Sequence, residues 1–203
     1  MLLAFDTSSS ACTAALFDGS GECIARKDEL IGRGHSERLV PMLHELLQGR
    51  RAESILVGVG PGSFTGIRVA IAAAHGLAIG WDAELSGMSS LALLAASAVA
   101  DGEIGVSIIG GHGELFVQQF DATTAEPTSE LRNLVPAKAA EYITAPVVLG
   151  SGAKQLVDAR GWGEAREAWP LAANALKVPS TMRSLPPKPV YARAPDAKVR
   201  EAA

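Results

Sequence analysis

The chain has 203 residues, 48% of them hydrophobic and 20% charged, enough to bury the core of one large domain or two small ones. Its net charge of −4 argues against a protein that binds nucleic acid alone, because such proteins present a basic face to the phosphates. Cys12 and Cys23 are expected to be reduced thiols in the cytoplasm. The N-terminus lacks a basic region and is interrupted by Asp6, so no signal peptide is expected.

The first half of the chain predicts three strands followed by alternating helices and strands. The strands are expected over 2–5, 11–17 and 22–30, and a hydroxyl-rich turn, Asp6 to Ser10, joins the first two. A helix is expected over His35–Leu47, and a strand over 54–60. The alanine-rich helix Thr65–Ile79 is expected to be buried on more than one side as a core helix, without spanning a membrane. A short strand near 81–87 and a helix over Leu91–Ala100 complete this half.

The pattern restarts at Asp101-Gly102. Strands are expected over 104–109, 114–120 and 147–152, with helices inside 130–142 and over 153–160. The last residues are weakly patterned, and 186–197 reads as extended chain. The order of elements suggests two related halves, the second reduced. We therefore predict an α/β protein with an N-terminal lobe at 1–102 and a smaller C-terminal lobe at 103–203.

The strand over 54–60 runs into a helix through a glycine turn that contains Gly60, Gly62, Ser63 and Gly66. Backbone N–H groups at such a helix start can bind an anion, but many turns need glycine only for their geometry. The turn is not a Walker A loop, because Ile67 stands where the lysine would be. The spacing also departs from the dinucleotide fingerprint by one residue. Both interpretations of the glycines stay open at this point.

The histidines do not form a metal-binding pattern. His35, His44, His75 and His112 are not spaced four residues apart, and no carboxylate-rich cluster accompanies them. A zinc or iron site needs three or four ligands. We therefore expect no metal site. The histidine side chains are expected to cap helices, to lie in the core or to lie on the surface.

Four stretches together resemble the bacterial TsaB (YeaZ) family in their order and spacing. The most specific is the motif Gly-Pro-Gly-Ser-Phe-Thr-Gly at 60–66, and the resemblance extends over nearly the whole chain. The four stretches are Ala4–Ser9, Gly34–Leu43, Gly58–Arg68 and Pro189–Ala197. One departure is Ile109-Gly110-Gly111, which stands where the family usually shows an Asp-Ala-Arg-like turn, so we assign no site there.

The resemblance implies a two-lobed fold of the actin/Hsp70/hexokinase (ASKHA) type. It also implies a part in making threonylcarbamoyladenosine next to the anticodon of tRNA, in a complex with a catalytic paralogue, TsaD, and a small ATPase, TsaE. TsaD carries a His-x-x-x-His metal pair, whereas the corresponding stretch here, Gly87–Leu94, contains no His, Asp, Glu or Cys. We therefore expect a non-catalytic subunit in the cytoplasm.

The favoured hypothesis is a scaffold that binds a TsaD homologue through its first two helices and supports docking of a TsaE homologue. A homodimer is expected when the partner is missing, and tRNA is expected to be held mainly by the partner. The predicted contact residues combine the apolar face of the first helix with the small residues of the second. They are His35, Leu39, Leu43, Leu46, Thr65, Arg68, Val69, Ala72, Ala73 and Gly76.

Two alternatives involve chemistry. A nucleotide-binding ATPase or small-molecule kinase of the same fold would hold the phosphates of ATP or ADP with Asp6, Thr7, Ser8, Gly60, Gly62 and Ser63. Such a kinase needs a second carboxylate as its base, and nothing marks Asp82 or Glu84 for that role. A glycoprotease-like metallopeptidase is less favoured, because its ligands are missing. No cofactor is required by the favoured hypothesis.

Overall fold

The computed structural model describes residues 1–190. The predicted extended segment beyond Val190 and the basic side chains Arg193, Lys198 and Arg200 lie outside the described residues.

The first lobe is a five-stranded mixed sheet with helices packed on it. Its strand order is β3-β2-β1-β4-β5, with β1 antiparallel to β2 and parallel to β4. The apolar strand β2 is buried along its whole length, whereas the edge strand β3 alternates between half-buried and exposed residues. In chain order the elements are β1 (Leu2–Asp6), β2 (Ala11–Phe17), β3 (Cys23–Leu30), α1 (His35–Leu47), β4 (Ser54–Gly58), α2 (Phe64–Trp81), β5 (Glu84–Met88) and α3 (Ser90–Ala95).

The second lobe repeats this topology, and some of its strands are shorter. Its sheet, counted from β8, runs β8-β7-β6-β9-β10. When the strands are numbered within each lobe, both sheets therefore have the order third-second-first-fourth-fifth. Three of its strands have only three residues each, which makes this lobe the reduced one. The two-lobed α/β prediction is confirmed. The elements are β6 (Glu103–Ile109), β7 (Leu115–Asp121), β8 (Arg132–Leu134), α4 (Pro136–Tyr142), β9 (Val147–Leu149), α5 (Ala153–Arg160) and β10 (Glu164–Arg166).

Helix α3 lies at the centre of the core between the two lobes. All six of its residues are buried, and the same apolar cluster joins Leu56 and Met88 of the first lobe to Ile104 and Phe120 of the second. The helix ends at Ala95, five residues before the predicted end. The hydroxyl of Ser97 donates to the carbonyl of Leu94, a bond that competes with continuation of the helix.

The chain returns to the first lobe after β10. A 3₁₀ helix, Ala172–Lys177, packs against β1 and β2, and a short helix α6 (Ser180–Arg183) packs against β5. Leu185 then exchanges two backbone hydrogen bonds with Gly87, and the N–H of Val190 donates to the carbonyl of Val59. The last described residues are therefore part of the packing of the first lobe, although the predicted boundary places them in the second.

Helix α2 is buried on one side only, and the expectation of burial on more than one side is wrong for this chain. Its inner side packs on the sheet through Gly66, Ile67, Ala70, Ile71 and Ala74. Because α1 covers just one flank, the opposite side stays exposed. Among the described residues α2 is the one helix long and apolar enough to cross a membrane by length and composition, a test that core helices of globular proteins also pass.

Candidate functional site

The buried carboxylate of Asp6 is the centre of a hydrogen-bond network at the end of β1. Its side chain is 1% exposed. One oxygen, Oδ1, accepts from the N–H and from the hydroxyl of Ser8, both at 2.7 Å. The other, Oδ2, accepts from the hydroxyl of Ser90 at 2.6 Å, and the oxygen of that hydroxyl accepts from the N–H of Gly60 at 3.1 Å. The network therefore connects β1, the glycine turn and the start of α3.

Glycines at the end of β4 and in the turn allow this segment to approach Asp6 and the residues after it closely. A Cβ on Gly58 would lie 1.9 Å from Oδ2 of Asp6, and a Cβ on Gly66 would lie 1.9 Å from the carbonyl oxygen of Thr7. At Gly62 a Cβ would lie 2.2 Å from the carbonyl oxygen of Ser8, and the backbone φ of +152° also favours glycine. No L side chain fits at these three positions without displacing the side chain of Asp6 or the turn that follows β1.

Hydrogen bonds inside the chain hold α2 against that turn. The hydroxyl of Thr7 donates to the carbonyl of Gly66 at 2.7 Å, and the N–H of Ser63 donates to the carbonyl of Ser8 at 2.6 Å. Ser63 caps α2, since its hydroxyl accepts from the N–H of Gly66. Several N–H groups that an anion would need are thus already bonded within the protein. This geometry favours the interpretation that the glycines are needed for the close approach of the chain segments over the interpretation that they bind an anion.

The structure brings together all six residues predicted to hold a phosphate. Asp6, Thr7 and Ser8 meet Gly60, Gly62 and Ser63 at the carboxyl ends of β1 and β4 in the first sheet. Their role toward ATP or ADP stays a prediction. Sequence reasoning missed the bond of Ser90 to Asp6, because a contact between residues 84 positions apart leaves no local signal.

Burial raises the pKa of Asp6. Loss of hydration is the largest cause of the rise, and the hydrogen bonds from Ser90 and Ser8 offset only part of it. A carboxyl group with a raised pKa favours the folded state at low pH and loses that contribution as the pH rises through the folded-state pKa.

The four histidines are dispersed over the described part of the chain. His35 begins α1 and contacts the carbonyl of Ala11, while His75 contacts the carbonyl of Pro187 on the returning C-terminal segment. His112 lies in the turn between β6 and β7, and His44 lies on the exposed side of α1. Within residues 1–190 no group of three or more His, Cys, Asp or Glu side chains could hold a metal ion.

The predicted contact residues on α1 are not on its exposed side. His35, Leu39, Leu43 and Leu46 are buried inside the chain, because the apolar face of α1 packs on its own sheet. This is a correction to the predicted contact residues. The exposed side of α1 carries Val40, Pro41 and His44 instead.

The predicted contact residues on α2 lie on or beside its uncovered side. Thr65, Ala72 and Gly76 are exposed, and Arg68, Val69 and Ala73 are half-buried. The guanidinium of Arg68 stacks on the ring of Phe64, 3.2 Å from its centroid. Two large apolar side chains on α2 are unusually open to solvent, Ile79 at 83% and Phe64 at 66%, and on α1 Val40 is 61% exposed.

We call one set of exposed residues on these two helices the helix surface. Its members are Val40, Pro41, His44, Phe64, Thr65, Ala72, Gly76 and Ile79. An apolar groove of about 420 Å³ runs between α1 and α2 within it. The groove is lined by Val40, Leu43, His44, Leu47, Ala73, Gly76, Leu77 and Trp81. Exposed apolar side chains gathered around a groove are typical of an interaction site.

An ion-pair network fixes α1 on the neighbouring strand β3. Arg38 forms a two-point pair with Glu29 and also contacts Glu45, which pairs in turn with Lys27. Arg38 and then Lys27 lower the pKa of Glu45 to about 2. The network holds against β3 the helix that forms one wall of the groove described above.

These features define a class of protein. Two lobes of matching topology around a shared core form an actin/Hsp70/hexokinase-type fold, and the first lobe presents an uncovered pair of helices. A family model described as "TsaD: tRNA N6-adenosine threonylcarbamoyltransferase" matches residues 27–140, more than half of the chain. The chain belongs to this family, and within it to the TsaB (YeaZ) group, as the resemblance implied.

Curated relatives and solved structures agree on that group. A Haemophilus influenzae protein named tRNA threonylcarbamoyladenosine biosynthesis protein TsaB is 40% identical over 103 residues, and the Escherichia coli protein of the same name is 37% identical over 103 residues. The aligned part is 48% of this chain but only 42% and 43% of those proteins, less than half of their length. The structure of YeaZ from Pseudomonas aeruginosa has 26% identity and a TM-score of 0.76, covering 94% of this chain and 98% of that one.

We predict that Gly66→Ala destabilises the protein whereas Gly80→Ala does not. The added methyl at residue 66 overlaps the carbonyl of Thr7, and overpacking of this kind costs about 1–3 kcal/mol or more. A Cβ at Gly80, in the same helix, meets nothing within 4 Å, so alanine should stabilise by about 0.5–1 kcal/mol. Urea unfolding of both variants measures the two changes. Equal stabilities would contradict the close-approach account.

We predict that Asp6→Asn changes how stability depends on pH. The ordinary pKa of an aspartate is about 3.9, and burial raises that of Asp6, so the wild type loses stability relative to the variant as the pH rises from about 3.9. The loss levels off above the folded-state pKa. Urea unfolding of both proteins across this range gives the difference in free energy of unfolding. A wild-type advantage that instead grows with pH would show a lowered pKa.

Proposed function

We propose that this protein is a non-catalytic subunit of the complex that forms threonylcarbamoyladenosine in tRNA, and that its helix surface binds a TsaD homologue. The observation that carries the proposal is the uncovered side of α2, where Ala72 and Gly76 lie between the exposed side chains of Phe64 and Ile79. The names of the curated relatives and the family match support the same pathway.

The shape of the helix surface suits another pair of helices. Small residues at Ala72 and Gly76 let a second backbone approach closely, and the groove beside them can receive bulkier side chains. At about 1.5 Å per residue, the 18 residues of α2 extend for about 27 Å. A contact along this length, with α1 beside it, supports an interface of ordinary size. The same surface would pair two copies of this chain when the partner is absent.

We propose that the chain needs no cofactor of its own. In a kinase of this fold the carboxylate after the first strand would have to reach a metal-bound phosphate. The carboxylate of Asp6 instead accepts three hydrogen bonds from within the chain, and the glycine turn closes over it. Hydrolysis of ATP that is lost on Asp6→Ala would overturn this part of the proposal.

The remaining parts concern the assembled complex. We propose that it works in the cytoplasm, that a TsaE homologue docks on the pair, and that tRNA is held mainly by the partner. The net charge of −4 supports the last point, because tRNA binding by this chain alone would need a basic face.

We predict that Ala72→Arg prevents binding to the TsaD homologue. An arginine at the centre of the helix surface would bury an unpaired charge and hold the backbones apart, so the affinity should fall at least about a hundredfold. The matched control is Ala137→Arg, at an exposed alanine of α4 in the other lobe. Copurification and calorimetry with the purified partner measure the effect.

The same two variants test the cellular role. In cells depleted of the native protein, the wild type and Ala137→Arg should restore threonylcarbamoyladenosine in hydrolysed tRNA, measured by mass spectrometry. Ala72→Arg should fail to restore it while unfolding at the same temperature as the wild type. Full restoration by Ala72→Arg would refute the proposed surface.

We predict that removal of the residues after Val190 leaves the tRNA affinity of the complex unchanged within about twofold. The cut is placed there because Leu185 and Val190 bond to the first lobe, so an earlier cut would disturb the fold. Filter binding of tRNA to the assembled complex measures the affinity. A large, salt-dependent loss would show that Arg193, Lys198 or Arg200 contacts tRNA.

A further inference from the structure

His44 is the one ionisable side chain among the eight residues that line the groove between α1 and α2. It lies in the last turn of α1 and is exposed in the free chain. Of its companions in the groove, Val40, Leu43 and Leu47 come from the same helix. The wall opposite is formed by α2 and carries no charge among its lining residues, Ala73, Gly76, Leu77 and Trp81.

The charged groups near this part of α1 are turned to other partners. Glu45 pairs with Arg38 and Lys27 on the side of β3. Arg50 donates to the carbonyls of Leu46 and Leu47 at the end of the helix.

Helix α2 carries Arg68, which stacks on Phe64, and His75, which contacts the carbonyl of Pro187, and neither side chain lines the groove. Two acidic side chains also lie on or next to the helices that form the groove. Glu37 lies two turns before His44 on α1 and accepts a hydrogen bond from Ser36. Asp82 follows Trp81 at the end of α2 and is exposed. Neither of them lines the groove, so no carboxylate within it would stabilise a protonated imidazole.

An apolar partner that fills the groove therefore removes water from His44 without replacing it by a charge. Removal of water costs the neutral imidazole much less than the protonated ring, because the protonated ring loses the hydration of a full charge. Imidazoles take up a proton near pH 6.5, so the penalty falls within the range where pH varies in cells. Binding should then release a proton from the fraction of molecules that carry one.

We propose that His44 makes binding at the helix surface proton-sensitive, so that the complex with the TsaD-type partner weakens as the pH falls below neutrality. This inference rests on the proposed function, because it takes that partner as the occupant of the groove. It adds a regulatory role for one side chain that the fold itself does not require. The direction follows from desolvation alone: protonation opposes association.

The test is calorimetric titration of the full-length chain with the purified TsaD homologue at about pH 7.5, 6.5 and 5.5, for the wild type, His44→Gln and His44→Leu. Below about pH 6.5 the wild-type affinity should fall more steeply than that of either variant. The extra loss should reach up to about tenfold for each pH unit. Measurement in two buffers of different ionisation enthalpy at about pH 6.5 should also show fewer protons released by the variants. The matched control, His112→Gln, alters an exposed turn of the other lobe and should keep the wild-type profile.

Two results would overturn the inference, and they are distinguishable. If the wild type binds the partner and both His44 variants keep its pH profile and its proton release, His44 has no such role and the proposed function is unaffected. If the wild type does not bind the partner at about pH 7.5, the proposed function fails and this inference fails with it.

Discussion

The rest of the structure depends on the buried carboxylate of Asp6. It accepts hydrogen bonds from Ser8 in the turn after β1 and from Ser90 at the start of α3. The hydroxyl oxygen of Ser90 in turn accepts a hydrogen bond from the N–H of Gly60. One side chain thus connects the end of a strand, the turn that leads into α2 and the helix between the lobes. A buried carboxylate that lacks both water and hydrogen-bond donors is destabilising, so separating these three segments would cost free energy.

This constraint explains how α2 comes to present a free side. Its first turn is fixed by the contacts of Gly62 and Gly66 with the backbone of residues 7 and 8, and its inner side is fixed by packing on the sheet. The residues that position the helix are therefore distinct from Ala72 and Gly76, which face outward. The shared core around α3 and the returning C-terminal segment join the lobes as one unit, which suits a protein that offers a surface more than one that closes around a substrate.

Much of the fold could be predicted because its signals are local. Strand β2 and helices α1 and α5 begin and end at the predicted residues, since each has a clear apolar pattern and a glycine or turn at its end. Strands β8 and β10 were missed, because three residues carry too little pattern to be distinguished from loop. The repeated strand order emerged only from the pairing of strands that lie far apart in the sequence.

The site was predicted less completely, for a physical reason. The motif at 60–66 marked the right turn, but periodicity shows only that α1 has an apolar face and not what covers it. That face is buried by the chain's own sheet, so Leu39 and Leu46 belong to the core and Val40 to the surface. The contact of Ser90 with Asp6 is set by tertiary structure and has no counterpart in the local sequence.

The central claim is that the chain acts by offering the outer sides of α1 and α2 to a partner. Hydrogen–deuterium exchange of the chain with and without the purified TsaD homologue tests it most directly, because it reports which segments become covered. The account predicts slower exchange in peptides covering residues 36–47 and 65–81, with no change in α5. Protection confined to the second lobe, or absent from α2, would contradict it.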